Sequence, residues 1–219
     1  MPVQVTINGK NVTLNVEPGQ PLLEALRQAG YWSVKHGCET GECGACSVLL
    51  DGKLVPTCIM VAGQVEGHSI ETVEGLTQGH EVHPIQQAFV DTGAVQCGYC
   101  TPAMILATKS LLDKEKYPTL EQAREALGPV LCRCTGYTKP LEAILRAAAH
   151  LRGEAVTPIG GEGIPVEWVF GSLNSQQAEP PLPTNGGAGG VMATQTKLDL
   201  QTRVSEATGT TTEVIGRPE

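Results

Sequence analysis

The chain has 219 residues, enough for one or two domains with their own cores, and is 41% hydrophobic but only 4% aromatic, so those cores must be aliphatic. A formal charge of −8 repels phosphate and argues against a nucleic-acid partner. No stretch approaches the roughly 20 apolar residues of a membrane span, and MPVQVTINGK has neither the basic run nor the apolar core of a signal peptide. The expected location is the cytoplasm, the alternative being export alongside a signal-bearing partner.

In chain order, VQVTI and VTLNV alternate apolar and polar residues around Asn8-Gly9, which predicts a β-hairpin. PLLEALRQAG predicts a helix, with Pro21 near its first turn and Gly30 at its end. SVLL and KLVPT flank Asp51-Gly52 as a second hairpin, and SIETV reads as one more short strand. Residues 1–76 are therefore expected to form a small mixed sheet crossed by one helix. From His83 the apolar period becomes helical. HPIQQAFVDTG, TPAMILATKSLLDK, TLEQAREALG and TKPLEAILRAAAHL give four helices, the third opened by a Thr119/Gln122 capping box and stopped at Gly128. Residues 77–153 are expected to form a compact four-helix bundle. Beyond Gly153, EPPLPTNGGAGG and a run rich in Thr, Gly and Gln build no core, so 154–219 reads as an extended tail. NGGAGG lacks the flanking strand and helix of a phosphate loop.

Eight cysteines in a chain this long, without a signal, point to metal or redox chemistry rather than a disulfide framework. Cys38, Cys43, Cys46 and Cys58 stand in a C-x4-C-x2-C-x11-C pattern whose opening is the plant-type ferredoxin spacing for a [2Fe–2S] cluster. Gly37, Gly41 and Gly44 suit that role, because a loop around a cluster must turn tightly and aim backbone N–H groups at sulfur. The alternative is a structural zinc site, although zinc sites pair C-x2-C knuckles set well apart and only Cys43 and Cys46 make one here. Cys97 and Cys100, at a helix junction, pair with Cys132 and Cys134 just before the last helix. Two interhelical loops would then bring four thiolates to one end of the bundle, where helix N-termini favour negative charge.

GCETGECGACSVLLDG, HPIQQAFVDTGAVQCGYCTP and LCRCTGY closely resemble the iron–sulfur subunit of the molybdenum hydroxylase (xanthine oxidase) family, over residues 3 to 152 and with all eight cysteines in register. The resemblance implies an α+β chain: an N-terminal β-grasp ferredoxin-type domain, then a helical [2Fe–2S]-binding domain. It implies two [2Fe–2S] clusters, a large partner subunit holding molybdenum on a pyranopterin, and FAD or another acceptor, such as a cytochrome, in a further partner. It also implies that Gln96 and the Cys134 ligand lie against the pterin. Gln96 as a cap on the following helix is the alternative. Ala103 and Pro129-Val130 depart from the family's usual glycine and Gly-Asn, and residues 154–219 have no counterpart in most members. The tail is expected to lie across the large subunit, anchored by Trp168 and Phe170.

No nucleophile, base or carboxylate pair marks a substrate site, so no catalytic residue is assigned. His36 either tunes the first site or faces solvent, His83 begins a helix, and Arg133 either offsets thiolate charge or pairs with a partner carboxylate. The rival readings are a self-contained electron carrier or redox sensor and a zinc-stapled interaction module.

Overall fold

A computed structural model of the chain describes residues 1–77, 79 and 81–156, all of which fall in one unit, Met1–Asn174. The expected tail, with Trp168 and Phe170, lies outside the described residues except for 154–156.

Strands β1 (Pro2–Ile7) and β2 (Lys10–Asn15) pair antiparallel across Asn8-Gly9, whose φ values of 51° and 76° are those of a type I′ turn. β3 (Ser47–Leu50) and β4 (Lys53–Pro56) pair likewise across Asp51-Gly52. β5 (Ser69–Glu71) joins the two hairpins, parallel to β1 and antiparallel to β3, giving a sheet of order β2-β1-β5-β3-β4. Helix α1 (Leu22–Gln28) buries Leu22, Leu23, Ala25 and Leu26 against the inward residues Val3, Val5, Ile7, Val48 and Ile70. Cys46 belongs to this aliphatic core. Three short 3-10 turns escape the pattern: Thr57–Ile59, which carries Cys58, and Ala62–Val65 lie between β4 and β5, and Val73–Gly75 follows β5.

The helical half follows the apolar period. Helix α2 (Pro84–Asp91) starts from His83, whose ring nitrogen accepts the Ile85 N–H. Helix α3 (Thr101–Leu112) is buried along much of its length, and α4 (Leu120–Leu127) opens on the expected capping box, with both Thr119–Gln122 bonds formed. Helix α5 (Thr138–Leu151) completes a core of Ile85, Phe89, Met104, Leu106, Leu127 and Ile144. Ala103 is fully buried there. Leu49 of β3 and Leu76 extend this second core into the sheet, and Lys109 of α3 reaches Glu71 of β5 at 3.3 Å. The Asp91 carboxylate accepts two hydrogen bonds from Arg146, at 3.0 and 2.8 Å, tying α2 to α5. None of the described helices is long and apolar enough to cross a membrane.

Candidate metal centres

The loop between α1 and β3 is organised by its own backbone. The Cys43 N–H donates to the Cys38 sulfur at 3.3 Å. A β-carbon on Gly37 would stand 2.7 Å from the Cys43 sulfur, so the absence of a side chain there lets the loop close on itself. Thr57 fixes the fourth cysteine's segment by donating to the Cys46 carbonyl at 2.9 Å. Cys58 is driven up to about 11 by burial, then by the neighbouring Cys46 sulfur and Cys38, against a backbone hydrogen bond from Gly41. Cys38 is lowered to about 5, first by the Thr40 hydroxyl and then by the Cys43 amide.

The second set forms between helix ends. Cys100 is the N-cap of α3 and Cys97 precedes it, while Cys132 and Cys134 lie between α4 and α5. Cys100 is pushed up to about 12 by burial and by the Cys132 sulfur, and Cys134 is raised by the Cys97 sulfur. Burial also works against ionisation of Cys132, but the Thr135 hydroxyl and the backbone amides of Thr135 and Cys134 outweigh it and lower its pKa. Tyr137, in the left-handed region at φ 65°, pins this segment: its hydroxyl accepts the Cys132 N–H at 2.9 Å and donates to the Val130 carbonyl at 3.0 Å.

All eight thiols are free. Their sulfurs influence one another in pairs, Cys46 on Cys58, Cys132 on Cys100 and Cys97 on Cys134, while the Cys38 sulfur accepts the Cys43 N–H. Among the described residues no group of three or more such side chains is arranged around a single ion. Paired sulfurs suit a two-iron core, which takes two thiolates per iron, better than one tetrahedral zinc. Burial raises Cys58 and Cys100 first and a neighbouring sulfur second, while Cys134 is raised first by Cys97, so in each case a second thiolate nearby opposes ionisation.

The two sets touch. Leu131 N–H donates to the Cys43 carbonyl at 2.9 Å, one residue before Cys132, and the Tyr99 hydroxyl donates to the His36 carbonyl. A β-carbon on Gly44 would fall 1.9 Å from the Pro129 carbonyl oxygen, so glycine is required where the loops cross. The Pro129-Val130 departure is thereby placed: Pro129 lies against Gly44 and Val130 is fully buried.

Gln96, Cys97 and Cys134 are all exposed. Gln96 does not cap α3, whose N-cap residue is Cys100 with no side-chain cap bond. His36 is exposed and contacts Glu39, in keeping with a solvent-facing role, and His83 caps α2 as expected. Arg133 is exposed and forms no ion pair among the described residues. The hydroxyls of Thr40, Tyr99, Thr135 and Tyr137 were not singled out from the sequence. The available signal was that each lies within three residues of a cysteine.

Residues 5–75 match the 2Fe–2S iron–sulfur cluster binding domain, and residues 72–145 match the [2Fe–2S] binding domain. The sheet half and the helical half thus define an iron–sulfur protein with two 2Fe–2S domains. The chain is 46% identical over 145 residues to the xanthine dehydrogenase iron–sulfur-binding subunit of Escherichia coli O157:H7, covering 65% of this chain and 91% of that one. It is 47% identical over 149 residues to the nicotinate dehydrogenase small FeS subunit of Eubacterium barkeri, covering 68% and 94%. Among solved structures it is similar to quinoline 2-oxidoreductase from Pseudomonas putida 86, with a TM-score of 0.66, 43% identity, and coverage of 71% of this chain and 98% of that one. The chain belongs to the iron–sulfur subunits of the molybdenum hydroxylase family.

Proposed function

We propose that this chain is the electron-transfer subunit of a molybdenum hydroxylase complex. It takes electrons from a molybdenum–pterin centre in a large partner subunit and passes them to FAD or another acceptor in a further partner. A β-grasp ferredoxin-type domain over 1–76 supplies Cys38, Cys43, Cys46 and Cys58 to one [2Fe–2S] cluster. A four-helix domain over 77–153 supplies Cys97, Cys100, Cys132 and Cys134 to the other. Each cluster, when bound, accepts and releases one electron at a time.

The observation that carries the relay is the hydrogen bond from Leu131 to the Cys43 carbonyl, which joins the two cysteine sets backbone to backbone. Close packing at Gly44 and Pro129 and the Tyr99 bond to His36 hold the same approach. On the helical side, exposed Gln96, Cys97 and Cys134 form the face we assign to the pterin, with Gln96 free of any capping duty. The tail, 154–219, is assigned to the large subunit's surface on sequence grounds alone.

Metal analysis of the purified complex tests this reading. Eight cysteines at four per two-iron centre give about four irons and four acid-labile sulfides per copy of this chain. Zinc in place of iron would overturn it, and iron–sulfur protein purifying without any larger chain would favour a free-standing carrier.

A further inference from the structure

The segment after Cys132 holds a hydrogen-bond relay that the electron-transfer reading does not require. Tyr137 N–H donates to the Thr135 hydroxyl oxygen at 3.2 Å, and that hydroxyl stands 3.1 Å from the Cys132 sulfur. A cysteine that ligates metal is a thiolate and carries no proton, so the hydroxyl must be the donor of this pair. Because Thr135 already accepts from Tyr137, its own proton is left pointing toward sulfur. The tyrosine is in turn fixed by its bonds to Cys132 N–H and the Val130 carbonyl. The first loop has a counterpart whose proton is shared. Thr40 reaches Cys38, but its hydroxyl also donates to the Glu42 carboxylate at 3.1 Å, and one proton serves two acceptors.

We propose that Thr135 is a positioning residue that raises the reduction potential of the helical-domain cluster by donating a hydrogen bond to the Cys132 sulfur, with Tyr137 holding it in aim. A donor to a ligand sulfur stabilises the more negative, reduced state, so its removal makes that cluster harder to reduce. The side chain of valine matches threonine in shape and lacks the proton, while serine keeps the proton and lacks the methyl. The proposal rests on the two-cluster reading above.

The test is a potentiometric titration of the full complex followed by electron paramagnetic resonance, comparing wild type, Thr135→Val and Thr135→Ser. Two signals in the wild type sustain the two-cluster reading, and their absence overturns that reading by itself. Under the proposal, Thr135→Val shifts only the helical-domain signal, to lower potential, by about tenfold in the oxidised-to-reduced ratio, or about 59 mV for a one-electron couple. Thr135→Ser restores most of the shift. Both signals at unchanged potentials in Thr135→Val would overturn the proposal while leaving the relay intact. If the valine variant loses the cluster, wild type and Thr135→Ser decide. Each must show an exchangeable proton strongly coupled to the helical-domain signal, replaced by deuterium in D2O, and its absence overturns the assignment.

Discussion

The two cysteine sets solve one problem by different means. The sheet half takes Cys38, Cys43 and Cys46 from nine consecutive residues and shapes them with missing side chains, at Gly37 and Gly44, and a backbone amide aimed at sulfur. The helical half gathers two pairs separated by more than thirty residues, and fixes them with side-chain hydroxyls and the start of α3. A site made by local backbone depends on a few torsions. A site made between helix ends depends on the packing of every helix that positions it. Damage to the helical core should therefore be felt at the second site well before the first.

The greatest effect is expected where the two designs meet. Gly44→Ala places a methyl 1.9 Å from the Pro129 carbonyl at a φ of 66°, so the loops must separate. It should cost about 3 kcal/mol or more and disturb both iron–sulfur signals, as read by thermal unfolding and paramagnetic resonance. Unchanged spectra and stability would mean that the crossing is not maintained in solution.

Single ligand changes sharpen the contrast. Cys43→Ser should abolish only the signal from the sheet half and Cys132→Ser only that from the helices. Under the proposed relay, substrate should still reduce the molybdenum centre of the first variant's complex while steady-state transfer to the external acceptor collapses. Loss of both signals from either change, in folded protein, would argue against separate sites.

A smaller effect is expected at the clamp between α2 and α5. Burial opposes ionisation of Asp91, but hydrogen bonds from Gln87 and Arg146, with the Arg146 and His150 charges, hold its carboxyl below the ordinary range. Its folded pKa is depressed, so the contribution is full above the unfolded value of about 3.9 and is lost as pH falls through the lower folded one. Asp91→Asn should remove about 2 kcal/mol at neutral pH and flatten the acid limb of the stability profile. Equal acid sensitivity in variant and wild type would contradict this.

The mildest change is Thr119→Ala at the start of α4, expected to cost about 1 kcal/mol with both cluster signals intact. A lost signal there would show the helical site to be more sensitive than the clamp implies.

Much of this was legible in sequence because it is local. Asn8-Gly9 and Asp51-Gly52 fix their turns by the φ values they tolerate, and the Thr119/Gln122 box needs only a three-residue spacing. The C-x4-C-x2-C spacing of the first set is local in the same way, whereas the approach of Cys97 and Cys100 to Cys132 and Cys134 depends on how the helices pack. The place of β5 between β1 and β3 depends on long-range pairing that three residues cannot announce. Nor could the pattern show that Gly44 meets Pro129, or that the Tyr137 hydroxyl turns back to Cys132, since these require the chain to be folded first. Ala103 and Pro129-Val130, departures from the family when read in sequence, prove to be buried or tightly packed residues.

The crossing at Gly44 also limits how these two halves can be shuffled. A ferredoxin domain from elsewhere, grafted in place of the sheet half, fails even with all four cysteines present if any side chain occupies the position that faces Pro129. The interface therefore demands compatibility at a residue that binds nothing. Exchange between such proteins must move the halves together, or change both sides of the crossing at once.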